Sequence, residues 1–165
     1  MRTEMTKRND IMIEIDTREK PHAIVRIVEY FDKNEIPHKP KKLDVGDYRV
    51  SENPSIVIDR KQSLSELCTN LGSDKRRFMN EIRLAKDTGV KLTILCEHGG
   101  AIHELKDVAN WHNPMLEKYP NAISGRDLME RMYRVHIAYG VDFLFCDKRS
   151  TGRRIAELLG IKKEE

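Results

Sequence analysis

Apolar and acidic residues alternate along IMIEID, Ile11 to Asp16, which predicts a strand with one face buried and the other carrying Glu14 and Asp16. TREKP breaks that period. Ile24, Ile27, Val28 and Phe31 then follow at helical spacing, with Pro21 where a first turn tolerates proline, and the helix is expected to end near Asn34. IPHKPKK reads as a basic, proline-marked loop. KLDVGDYRV predicts a strand containing a glycine, SENP is turn chemistry, and SIVID supplies a β-branched hairpin partner. Leu64, Leu67, Cys68 and Leu71 share one helical face, and Phe78, Ile82 and Ala85 repeat the pattern until Gly89. KLTILCE is a further buried strand. Periodicity fades over about 99–122, where two prolines and the lone tryptophan, Trp111, mark an irregular excursion. Ser124, with Asp127 three residues on, caps a helix that buries Leu128, Met132 and Val135. VDFLFC is the last strand, and Thr151 is expected to cap a final helix burying Ile155, Leu158 and Leu159.

This order predicts an α/β protein with a central mixed sheet flanked by helices on both faces. At 165 residues, 39% of them hydrophobic, the chain holds one core, so we assign a single domain over 11–160 with tails at 1–10 and 161–165. The net charge of +3 comes from 30 basic and 27 acidic residues, so any nucleic-acid contact must be built by local segregation of charge. Cys68, Cys96 and Cys146 are odd in number and unrelated in spacing, which fits free thiols in a reducing compartment. No run approaches the roughly 18 apolar residues of a membrane span, and MRTEMTKRND has no signal-peptide core, so a soluble, cytoplasmic protein is expected.

The chemistry-bearing stretch is SIVIDRKQSLSEL. In a strand, Asp59 and Lys61 face one way and Arg60 the other, which presents a carboxylate and an ammonium together at a strand end. Such a triplet alone is as common as any surface ion pair. Its setting adds Asp47, directly after Gly46 in an apolar segment where an aspartate is costly without a cation, and Asp16, Arg18 and Glu19 at the end of the first strand. Carboxylates that converge from three strand segments repel one another, and a hard divalent cation held through oxygen relieves that repulsion.

IDTRE, LDVGDY and VIDRKQSLSEL resemble, in order and spacing, the successive motifs of the nuclease domain of the XPF family of structure-specific endonucleases, a branch of the restriction-endonuclease-like PD-(D/E)XK superfamily. The resemblance is detailed over about Ile11 to Glu97 and architectural beyond it. It implies a restriction-endonuclease-like core and a metal site of Asp16, Asp47 and Asp59 taking Mg²⁺, for which Mn²⁺ substitutes. It also implies Lys61 as the catalytic lysine and Arg18 and Arg60 as functional arginines near the phosphate. Three departures stand out. Asp59 replaces the usual glutamate, Ser65 occupies the place of a second acid with Glu66 beside it, and no paired helix-hairpin-helix module follows. Stand-alone domains of this kind resemble proteins carried by bacteriophages.

The expected activity is therefore metal-dependent hydrolysis of phosphodiesters by in-line attack of water, on branched DNA such as flaps, forks or junctions, in repair or recombination. The rival from another class is a non-catalytic DNA-binding or scaffolding subunit with the same fold. Glu19, Lys41, Lys42, Arg76 and Arg77 are candidate DNA contacts, Arg77 being the strongest, and Met129, Met132 and Leu159 on the last two helices are where a homodimer or heterodimer contact is expected. Cys96, His98, His103 and His112 fit no compact zinc spacing.

Overall fold

The computed structural model describes residues 11–161, so both terminal tails, 1–10 and from 162 on, lie outside the described residues. Six strands form one sheet: β1 (Ile13–Ile15), β2 (His38–Pro40), β3 (Tyr48–Val50), β4 (Asn53–Lys61), β5 (Lys91–Cys96) and β6 (Asp142–Phe145), in the spatial order β2-β1-β3-β4-β5-β6. β3 runs antiparallel to both β1 and β4, whereas β1–β2, β4–β5 and β5–β6 are parallel. The sheet is mixed, as the alternation of hairpin and crossover segments demands.

Side-chain alternation along β4 sorts the core into two layers. Val57 packs with α2 (Leu64–Asn70), α3 (Lys75–Asp87) and α4 (Gly125–Tyr139), through Leu64, Leu67, Phe78, Ile82, Leu128 and Met132. Ile58 faces the other way, against α1 (Val25–Lys33) and α5 (Thr151–Leu158), with Ile27, Phe31, Tyr48, Leu95 and Ile155. Two of the helices, α2 and α4, begin where a serine side chain satisfies a free N–H group. Ser63 accepts from the Glu66 N–H at 3.2 Å, and Ser124 accepts from the Asp127 N–H at 3.1 Å. α4 stops at Gly140, which adopts φ +70.

Several expectations are corrected. IPHKPKK is not wholly loop, because His38–Pro40 pairs in parallel with β1 as an edge strand, where proline is tolerated. KLDVGDYRV is strand only over Tyr48–Val50; the residues before it bend across the end of β4. Thr151 is the first residue of α5 and makes no cap; its hydroxyl instead donates to Glu97 at 2.7 Å. Met132, expected at a partner contact, has no exposed surface and belongs to the core. The excursion over 99–122 contains two short 3-10 turns, Leu105–Asn110 and Pro114–Glu117, the first of them packed against α4. Cys68, Cys96 and Cys146 are free thiols. No helix among the described residues is long and apolar enough to cross a membrane.

Candidate active site

The last five residues of β4 are buried, yet the final three are charged: Asp59, Arg60 and Lys61 are 6%, 7% and 7% exposed. Each such charge is costly in the interior unless it is paired. The sheet alternation divides the pairing between the two faces.

On the α3 side, the Lys61 Nζ lies 3.1 Å from Asp59 Oδ2 and 5.2 Å from the centre of the Phe78 ring. Burial alone pulls an ammonium towards its neutral form. The charge of Asp59, helped by Glu66 and Asp47, outweighs that, so the Lys61 pKa is raised and the side chain remains an ammonium. In that form it offers a positive charge and hydrogen-bond donors.

Asp47 arrives beside this pair from the bend before β3. Gly46 permits that approach: it adopts φ +68, and a Cβ there would lie 2.3 Å from Val57 Cγ1 and 3.2 Å from the Ile58 carbonyl oxygen. With the backbone this close, the Asp47 N–H donates to the Ile58 carbonyl at 2.9 Å, and Asp47 Oδ2 accepts from the Arg60 N–H at 2.8 Å. The Gly46 N–H in turn donates to Glu81 Oε1 of α3 at 2.9 Å, so a helix carboxylate anchors the bend. Desolvation, followed by the nearby charge of Asp59 and a hydrogen bond with it, raises the Asp47 pKa well above the ordinary aspartate value. Two carboxyls within hydrogen-bonding reach, one driven towards protonation, form a donor set that a hard divalent cation fits: oxygen ligands, with repulsion for the ion to relieve. Asp47 and Asp59 would hold such an ion.

Asp16 does not complete that set. Its Oδ1 accepts from the Leu43 N–H at 2.8 Å, its Oδ2 accepts from Arg18 Nε at 2.5 Å and from the Arg18 N–H at 3.2 Å, and its side chain has no exposed surface. It ties the end of β1 to the bend carrying Asp47, whose carbonyl accepts from the Asp16 N–H at 2.8 Å. Among the described residues, no group of three or more His, Cys, Asp or Glu side chains is arranged to hold one metal ion. Glu66 turns back to accept from the Gln62 N–H at 2.7 Å and helps to start α2, although its charge still reaches Lys61.

On the α1 side, Arg60 is enclosed. Its Nε and Nη2 donate to Glu19 at 2.7 and 3.2 Å, and its Nη1 donates to Glu97 Oε1 at 2.5 Å. Tyr48 donates to Glu19 Oε2 at 2.6 Å, while Thr151 donates to Glu97 Oε2. The carboxylates on either side hold the guanidinium pKa above its usual value, even against desolvation. With a side chain 5% exposed, Arg60 is a positioning residue that fixes the end of β4 and not a phosphate contact. Glu19, expected as a DNA contact, is likewise consumed in this network.

The remaining candidates lie at the rim. Arg18 is 58% exposed on its side chain and bridges Asp16 to the Leu43 carbonyl. Arg77, equally exposed, is held by Asp74 at 2.5 Å and lies 3.9 Å from Glu81, with the charge of Asp59 among those raising its pKa. Arg76 and Lys42 are exposed, and Lys41 Nζ lies 3.4 Å from the buried Glu14. No sequence pattern singles out Glu81 and Glu97, or the bond that Thr151 makes. Each reaches its partner across more than thirty residues, so no local spacing signals it.

A mixed sheet, helices on both faces and an Asp-Arg-Lys triplet at the end of its central strand are the architecture of a restriction-endonuclease-like nuclease domain. The model of the ERCC4 domain matches residues 15–157, and the chain belongs to that family. Among solved structures it is similar to XPF from Aeropyrum pernix, with a TM-score of 0.62 and 21% sequence identity over 90% of this chain and 63% of that one. It matches the same protein in complex with DNA equally well, over 62% of that chain. The chain thus spans less than two thirds of the XPF chains that it resembles. No curated protein sequence matches it.

The raised pKa of Asp47 has a consequence for stability. Because the folded value exceeds the unfolded one of about 3.9, the favourable contribution is complete at lower pH and is lost as pH rises through the folded value. Asp47→Asn keeps an oxygen for the Arg60 N–H and cannot ionise. In EDTA at neutral pH it is expected to melt higher than the wild type, by about 2–4 °C for each kcal/mol relieved, with the advantage vanishing towards about pH 4. A constant difference between the two melting curves at every pH contradicts the assignment.

Proposed function

We propose that the chain is a divalent-metal-dependent DNA endonuclease that hydrolyses phosphodiester bonds. The observation that carries this reading is the set formed by the half-buried Asp47 with the buried Asp59 and the protonated Lys61 on one side of the end of β4. A bound Mg²⁺, or Mn²⁺ in its place, supplies positive charge and Lewis acidity at the phosphate. The chain's own residues do the rest. Lys61 places an ammonium where charge grows on a phosphate oxygen during in-line displacement by water. Arg60, locked between Glu19 and Glu97, fixes the strand end on which Asp59 and Lys61 stand, and Asp16 with Glu81 fixes the bend that delivers Asp47. Arg18 and Arg77 remain exposed at the rim for neighbouring phosphates.

Family membership and the likeness to an XPF that is recorded in complex with DNA support DNA as the substrate. Flaps, forks or junctions are the substrates we propose, in repair or recombination. Ser65, standing where the motif has a second acid, is the feature that favours the non-catalytic alternative. On a labelled fork with Mg²⁺, Lys61→Met and Asp59→Asn are each expected to lower cleavage by about 100-fold or more. Wild-type binding without cleavage supports the non-catalytic subunit, and cleavage that survives both substitutions places the chemistry elsewhere.

Self-association is proposed on the outer side of α4 and β6. β6 is an edge strand, a groove of about 650 Å³ runs between it, α4 and the 3-10 turn at Leu105, and Tyr133 and Ile137 of α4 are 51% and 67% exposed. Light scattering is expected to give a dimer for the wild type and a monomer for Tyr133→Glu/Ile137→Glu. A wild type already monomeric at high concentration removes this interface.

A further inference from the structure

β4 alternation places Lys61 on the α3 side of the sheet and Arg60 on the α1 side, and Gln62, in the bend just past the strand, lines the same groove as Arg60. Gln62 opens onto a second groove, of about 540 Å³, within the size range of nucleotide-sized ligand sites. Its walls come from His22 and Ala23 in the turn before α1, from Val25 and Arg26 in the first turn of α1, and from Lys148 after β6. The groove therefore begins one residue past the lysine of the active site, on the opposite face of the strand.

Its charge is positive where it meets solvent. Arg26 and Lys148 are exposed and form no ion pair among the described residues, whereas the nearby Arg153 and Arg154 both pair with Glu157. At the inner end, Arg60 and Glu97 also line the groove, but they are bound to each other at 2.5 Å and largely cancel. Glu29, one turn along from Arg26, tempers the field without pairing with either cation. Val25, 50% exposed, gives an apolar wall beside the two charges. Cations that track a backbone, together with an apolar surface for a base, suit a single nucleic-acid strand better than a duplex, whose bases are stacked inside.

We propose that this groove is a second nucleic-acid subsite, which takes the single-stranded arm of a branched substrate as it leaves the strand end at Lys61. Arg26 and Lys148 contact successive phosphates of the arm, and the Val25 wall accommodates a base. The inference rests on the nuclease reading only for the direction in which the strand travels.

Fluorescence anisotropy in EDTA, where nothing is cut, tests it with three labelled probes: a fork, an unbranched duplex and a single strand. Arg26→Glu/Lys148→Glu is expected to weaken binding of the fork and the single strand by about tenfold or more at low salt. The neutral pair Arg26→Gln/Lys148→Gln is expected to lower the slope of log affinity against log salt by about 1.4 for the single strand, at about 0.7 for each phosphate that is no longer neutralised. Duplex affinity is expected to change little. Equal affinities and slopes for wild type and both variants overturn the proposal, and so does an equal loss on the unbranched duplex, which marks a general phosphate contact. Both of the side chains changed are exposed, and coincident melting curves establish that the variants are folded. Arm-dependent loss of binding in a protein that cuts nothing with Mg²⁺ sinks the nuclease reading while leaving the subsite intact.

Discussion

Two carboxyls are forced together at a buried strand end, and much of the surrounding structure exists to hold them there. Asp47 and Asp59 come from segments that meet only because Gly46 lets the backbone touch β4. The Lys61 ammonium lies against Asp59, and Asp47 is driven towards protonation first by desolvation and then by the charge of Asp59. A fold selected for stability alone would place an amide or an apolar residue there. Strain of this kind, kept in place by an extensive hydrogen-bonded frame, is the usual mark of a functional site.

That frame occupies the opposite face of the same strand. Arg60 joins β4 to the segment after β1 through Glu19 and to the end of β5 through Glu97, and Thr151 brings the start of α5 into the same network. Its donors and acceptors are paired with one another, and removal of Arg60 leaves the Glu19 and Glu97 carboxylates without their cation, at a cost of about 3–5 kcal/mol. One three-residue run thus carries chemistry on one side of the pleat and support on the other. β-Strand geometry makes that division automatic.

Five of the six strands, the two-sided helical packing and the meeting of Asp47, Asp59 and Lys61 were legible because each depends on period-two or period-3.6 patterns or on motifs of fixed spacing. The role of Asp16 was not. An aspartate that ends a strand looks the same whether it faces an ion or turns to Arg18 two residues on, and its bond to the Leu43 N–H depends on a bend that no pattern announces. Arg60 looked like a phosphate ligand because its charge is visible in sequence, whereas the Glu19 and Glu97 partners that consume it are brought by other segments. β2 was missed because three residues, preceded by Pro37 and ending on Pro40, are too short to show alternation.

The central claim is that Asp47 and Asp59 share one cation and Asp16 stands apart from it. A crystal of the protein soaked in Mn²⁺, with anomalous scattering recorded, tests this most directly. The account predicts one anomalous peak in contact with Asp47 and Asp59, with Asp16 still bonded to the Leu43 N–H and Arg18. A peak bound by Asp16, or none near Asp47 and Asp59 in a protein that cleaves DNA under the same metal concentration, contradicts it.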